Sequence, residues 1–127
     1  MTTAVVTTVA PVPIDQLKVS VDAVAIAIVS DDGRMLHSAL PSGVSAETFA
    51  VMSATIVGAA ATVSSDLKQT PPDHIVIRGV DFTTILARFD SASLLVIVVG
   101  ASADPDLLLH RIDEFILAQR AAATGTG

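Results

Sequence analysis

The chain has 127 residues, one domain's worth, a net charge of −6 and seven Lys and Arg in no basic run. A nucleic-acid surface needs clustered cations against phosphates, so nucleic-acid binding is excluded, and attraction to anionic lipid is disfavoured for the same reason. Hydrophobic residues make up 51% of the chain, yet Cys, Trp and Tyr are absent. The core must then come from Val, Ile, Leu, Ala and Phe, and disulfides, thiolate metal sites and cysteine nucleophiles drop out.

Met1–Pro13 is Thr/Val-rich with two prolines. It lacks the basic and continuous apolar regions of a signal peptide, and reads as a flexible lead or else a loosely added strand. Ile14–Ser20 suits a helical turn or two, too short to stand without packing. Asp22–Ser30 is β-prone and apolar on both faces, with Val24, Ile26 and Ile28 on one and Ala23, Ala25, Ala27 and Val29 on the other. Such a strand is covered on both sides. Asp31-Asp32-Gly33 is a hairpin turn, because a tight turn needs positive φ. Arg34–Leu40 then returns as a more polar edge strand.

Ser45–Leu67 is the longest element. Ser45 is a cap, and Glu47 suits the positive end of the helix dipole. Phe49, Met52, Ile56, Ala59 (or Ala60), Val63 and Leu67 recur at helical spacing and predict one buried stripe. The opposite surface shows Ala, Ser, Thr and Gly where a monomer would show charge, so the helix should be covered on more than one side. Ser53, Thr55, Gly58 and Thr62 interrupt its apolar run, and Leu94–Val99 is far short of the roughly 20 residues a spanning helix needs. No membrane insertion is expected, and the chain reads as cytoplasmic.

Gln69-Thr70-Pro71-Pro72 stops the helix. His74–Arg78 is a short edge strand, Phe82–Phe89 alternates, and Ser93–Val99 is apolar on both faces, as a central strand is. Asp104-Pro105-Asp106 starts a last helix over Pro105–Gln119 or a little beyond, with Leu108, Ile112, Phe115 and Ile116 inward. The domain is expected over residues 14–120, with a flexible tail over 121–127. The order accommodates a five-stranded antiparallel sheet with helices on its faces, an α+β fold.

Chemistry is sparse. No GxxxxGK[ST] loop exists to cradle a nucleotide. His37, His74 and His110 have no second His at ligand spacing. Asp31 and Asp32 fit a turn better than a catalytic pair, and Asp104 and Asp106 fit a cap and a helix dipole. Ser64 and Ser65 have no base at hand. Arg34, Arg78, Arg88 and Arg111 are the candidates for contact with a partner's phosphate, each against the plainer reading of a solvated arginine. The chain is expected to be no enzyme and to need no cofactor or metal.

The opening hairpin VDAVAIAIVSDDGRMLHSAL, the long small-residue helix after it, and SLLVIVV with its closing helix resemble the roadblock/dynein light-chain domain family over roughly Val19–Ala118. The first helix of that family is longer; here Pro11 and Pro13 limit it. The resemblance implies a profilin-like α/β/α sandwich that dimerises, with the middle helix on its mate and the following strand paired across the two-fold. The small-residue run Val57-Gly58-Ala59-Ala60-Ala61 and the open edge His74–Arg78 agree with this. The expected interface is Val57, Gly58, Ala61, Ser65, His74, Val76 and Arg78. The resemblance further implies a homodimer that regulates or scaffolds a small Ras-like GTPase, or else a structural adaptor joining larger proteins.

Overall fold

The structure, a computed structural model, describes residues 12–124; most of the expected N-terminal lead and the last three residues of the tail lie outside the described residues. Eight elements follow in order: α1 (Ile14–Ser20), β1 (Ala25–Ser30), β2 (Met35–Ala39), α2 (Ala46–Asp66), β3 (His74–Arg78), β4 (Phe82–Arg88), β5 (Ser93–Gly100) and α3 (Pro105–Thr124). The strands form one five-stranded sheet in the order β2-β1-β5-β4-β3. Every neighbouring pair is antiparallel. The expected architecture, the central place of β5 and the two edge strands all stand.

The two faces of the sheet carry separate cores, as the two-sided apolar strands require. Ile26, Ile28, Ile85, Leu95, Ile97 and Val99 face α1 and α3, where Ile14, Leu17, Leu108, Ile112 and Ile116 cover them. Ala27, Val29, Leu86 and Val96 face α2, where Ala50 is the buried contact and Phe49, Ile56 and Val57 pack around it. Successive residues of a strand point to opposite faces, so β1 and β5 supply both cores and are the most buried elements.

The short α1 holds because Ile14 and Leu17 are buried; a helix of this length has little stability of its own. It ends on Asp22, at φ 54°, with the Ala23 N–H donating to the Lys18 carbonyl at 2.9 Å. Gly33, at φ +87°, makes the β1–β2 turn. A Cβ there would also stand 3.4 Å from the Val51 Cα, so α2 packs onto this turn as well. The Asp104 carboxylate accepts from the Asp106 N–H at 3.0 Å, capping α3 as expected. That helix runs to Thr124, within the expectation of Gln119 or a little beyond; Ala121, Ala122 and Ala123 have high helix propensity and do not stop it.

The stripe expected along α2 is corrected. Ala50 and Ser53 are its buried residues. Met52 is 50% exposed, Val63 59% and Leu67 67%. The helix lies on the sheet through its small residues, and its large ones flank the contact. Small side chains let the helix axis come close to the strands, which large ones at the centre would prevent.

Candidate interaction surface

α2 begins as its sequence dictates: the Ser45 hydroxyl accepts from the Thr48 N–H at 3.2 Å, and Glu47 lies in the first turn. The helix packs over β1 and β2. The β3–β4 half of the same face is therefore left open. The result is a groove of about 420 Å³, walled by Val44, Phe49, Met52 and Ile56 on one side and by Ile77, Leu86 and Val98 on the other. Its lining is largely apolar, interrupted by the hydroxyls of Ser45, Thr48 and Thr84, and the buried Ser53 sits at its floor. α2 is also long and apolar enough to cross a membrane by length and composition, though few of the residues in its apolar window are buried.

The two flanks of α2 differ. Met52 and Ile56 turn toward the groove, and Ala59 and Val63 continue that flank, since residues three, four and seven apart share a helix side. Val51 turns the other way, onto the Gly33 turn, and Gly58 and Ser65 lie above it at successive steps of seven. The hydroxyls of Thr55 and Thr62 donate back to the carbonyls of Val51 (2.7 Å) and Gly58 (3.0 Å). This withdraws polarity from the outward surface.

β3 is exposed at every residue except Ile75, which is half-buried. Ile75 packs with the α2-side core, and Ile77 lines the groove. Val76 pairs with Ile85, which belongs to the α3-side core, so His74, Val76 and Arg78 lie on that other face. The backbone alternates too. The Arg88 N–H donates to the Asp73 carbonyl at 3.0 Å and the Gly79 N–H to the Phe82 carbonyl at 2.8 Å. Odd-numbered residues of β3 thus turn their backbone groups to β4. His74, Val76 and Arg78 turn theirs to the open edge.

The seven residues expected at an interface therefore do not form one patch. Val57 packs on the sheet-side core. Gly58 and Ser65 lie on the flank away from β3, with Ala61 between that flank and the sheet. His74, Val76 and Arg78 hold the open edge. The residues beside that edge are Met52, Ile56 and Ile77, with Phe82 (48% exposed) further along the same face. Ile77 and Phe82 escaped the sequence reading, although the alternation Phe82-Thr83-Thr84-Ile85-Leu86 signals that Phe82 shares a face with Leu86.

Two of the four candidate arginines are engaged. The Arg88 Nη1 lies 2.7 Å from the Asp31 carboxylate, locking the β1–β2 turn to the start of the β4–β5 turn. Arg34 lies 3.4 Å from Asp32, whose carboxylate also accepts a short hydrogen bond from Ser30. The Ser30 hydroxyl, with help from Arg34 and against desolvation, holds the Asp32 carboxyl below its ordinary value. Arg111 borders a hollow between α1 and α3 with Asp22 and Asp104. His110 is within 3.8 Å of Glu114 on the surface of α3. Among the described residues no group of three His, Asp or Glu could hold a metal ion.

Comparison with curated proteins returns no match. Among solved structures, Myxococcus xanthus MglB superposes with a TM-score of 0.79 at 15% identity, over 88% of this chain and 91% of its own. A Roadblock/LC7 domain from Streptomyces avermitilis follows with a TM-score of 0.72 at 14% identity, over 80% of this chain and 85% of its own. Acanthamoeba castellanii profilin II has a TM-score of 0.54 at 15% identity, over 83% of this chain and 90% of its own. These likenesses show the fold, which is profilin-like. The model of the Roadblock/LC7 domain matches residues 14–99, from the start of α1 through nearly all of β5, and on that match the chain belongs to the Roadblock/LC7 domain family.

Proposed function

We propose that the chain acts in the cytoplasm as a homodimer that binds a small Ras-like GTPase and regulates or scaffolds it without catalysis of its own. Members of the family are regulatory or adaptor proteins. The observation that carries the proposal is one continuous apolar surface: the groove flank of α2, Ile75 and Ile77 on β3, and the unpaired edge beside them. A second copy related by a two-fold would extend the sheet through β3 and bring the two α2 flanks together. That would cover both liabilities, the open edge and the apolar flank, in one step. In this reading the helix part of the interface is Met52, Ile56, Ala59 and Val63. Val57, Gly58, Ala61 and Ser65 lie to its far side, and His74, Val76 and Arg78 keep their place at the edge.

Regulation would act by recognising one nucleotide state of the partner, which requires different affinities for its GTP and GDP forms. The engagement of Arg88 and Arg34 with carboxylates favours surface recognition over an arginine inserted at a phosphate. The test is retention of small GTPases, loaded with GDP or with a non-hydrolysable GTP analogue, on the immobilised chain, together with their hydrolysis rate in its presence. Retention biased toward one state is expected. Retention without bias and with unchanged turnover would leave a scaffold and remove the regulator, and no retention of any GTPase would overturn the GTPase reading and leave the structural adaptor that joins larger proteins.

A further inference from the structure

The open edge of β3 determines how a second copy can pair with it, and the pairing has a consequence for pH. The outward backbone groups belong to His74, Val76 and Arg78, as the inward bonds of Asp73 and Gly79 show. Two identical antiparallel strands joined through those residues must match even numbers with even numbers. Among such registers, centring on Val76 is the one that pairs all five residues of β3. It makes three hydrogen-bonded pairs: Val76 with its own copy, and His74 with Arg78 twice. Ile75 then stands opposite Ile77 on the groove side, beneath the two α2 flanks, so the apolar cross-strand pairs fall where the apolar surface is.

We propose that β3 pairs with its copy in this one register, with Val76 on the two-fold, and that the His74–Arg78 juxtaposition makes self-association weaken as pH falls. This rests on the dimer reading above. An Arg is charged at all accessible pH, and a His side chain gains charge as pH falls past about 6.5. Directly opposite residues of a hydrogen-bonded pair are about 5.5 Å apart at Cα, and like charges there are destabilising. Each dimer holds two such pairs. The sign follows from linkage: a charged His opposite an Arg repels it and a neutral one does not, so association is stronger at pH 8 than at pH 5.5.

Carboxylates and guanidinium groups ordinarily keep their charge between pH 8 and pH 5.5, so the groups around His74 do not set the sign of the change. Opposite it on β4 is Ala87, which is neutral, and Arg88 next along points to the other face. Asp73 precedes it, and its carbonyl, not its carboxylate, is the group bonded to β4. From α3, Arg120 donates to the Phe89 carbonyl at 3.0 Å, two residues along from Ala87. Asp113 and Asp106, at successive helical steps of seven before Arg120, are acids on that flank of α3; they are common to every variant below.

The chain has no Cys, so the register can be read by cross-linking. Val76→Cys places two thiols across the two-fold within disulfide reach and should give covalent dimer under mild oxidation. Ile77→Cys faces Ile75 of the copy and should not cross-link to itself. In sedimentation equilibrium the dissociation constant of the unmodified chain should rise by about two- to thirty-fold between pH 8 and pH 5.5, the range for two cross-strand charge pairs. His74→Gln and Arg78→Gln should each abolish that rise. His74→Glu should tighten association at both pH values. A chain that is monomeric at every pH overturns the dimer reading and this proposal with it. A dimer in which Ile77→Cys cross-links instead of Val76→Cys, or in which His74→Gln leaves the pH response intact, overturns the register alone.

Discussion

Lys68 follows α2 in the left-handed conformation, at φ 58°. Its N–H donates to the Ser65 carbonyl at 2.9 Å and the Gln69 N–H to the Ser64 carbonyl at 2.8 Å. This is the double closure that glycine usually makes at a helix end. A side chain there is strained by roughly 1–2 kcal/mol, and glycine recovers part of that after its own entropy loss. Lys68→Gly should therefore stabilise the fold by about 1 kcal/mol, read as a higher midpoint in urea unfolding. Lys68→Ala, which keeps the Cβ, should give no gain; an equal gain would locate the effect in the lost charge. A second residue-scale prediction concerns acid. The Asp90 carboxylate accepts from the Ala92 N–H at 2.9 Å and the Ser93 hydroxyl at 2.7 Å. Burial pushes this carboxyl up, but those hydrogen bonds and the charge of Arg88 outweigh it and hold the carboxyl below its ordinary value. The folded chain thus binds fewer protons here than the unfolded one. The resulting stability is present above the ordinary carboxyl range and is lost as pH falls through the lowered value. Asp90→Asn keeps an acceptor but cannot titrate, so its thermal midpoint should fall less steeply than that of the unmodified chain between pH 5 and pH 3.

At the scale of elements α2 is decisive. Its start, its length and its lack of a charged outer face were legible from residues, because capping and composition are local properties. Which flank meets what was not. Met52, Ile56 and Val63 keep helical spacing with Phe49, and that spacing is equally consistent with a buried stripe and with an apolar flank beside it. The sheet arbitrates: Ala50 and Ser53 sit on the strands, and the large residues are left at the side. The consequence is a paired prediction. Met52→Glu, on the groove flank, should give monomer by light scattering while the fold persists, because a charge would be buried between the two helices. Gly58→Glu should leave the dimer intact, since a side chain at Gly58 meets open space on the flank away from β3. The reverse pattern would return the interface to the small-residue run Val57–Ala61.

Across the whole molecule, the antiparallel sheet and the two cores on its faces follow from the strands themselves. β1 and β5 are apolar at nearly every position, which specifies burial on both sides, and the turn at Asp31–Gly33 specifies the first hairpin. Alternation, turn chemistry and caps act over a few residues, and so the order of elements and the place of the central strand are written in the sequence alone. The separation of the expected interface residues, the groove between α2 and β3, and the parity of the open edge depend on contacts between segments far apart in the chain. α2 comes to rest over one half of the sheet because its small residues permit close packing there. That placement exposes Met52 and Ile77 to one side and turns Gly58 to the other, while the register of β3 on β4 leaves the backbone of His74, Val76 and Arg78 facing outward.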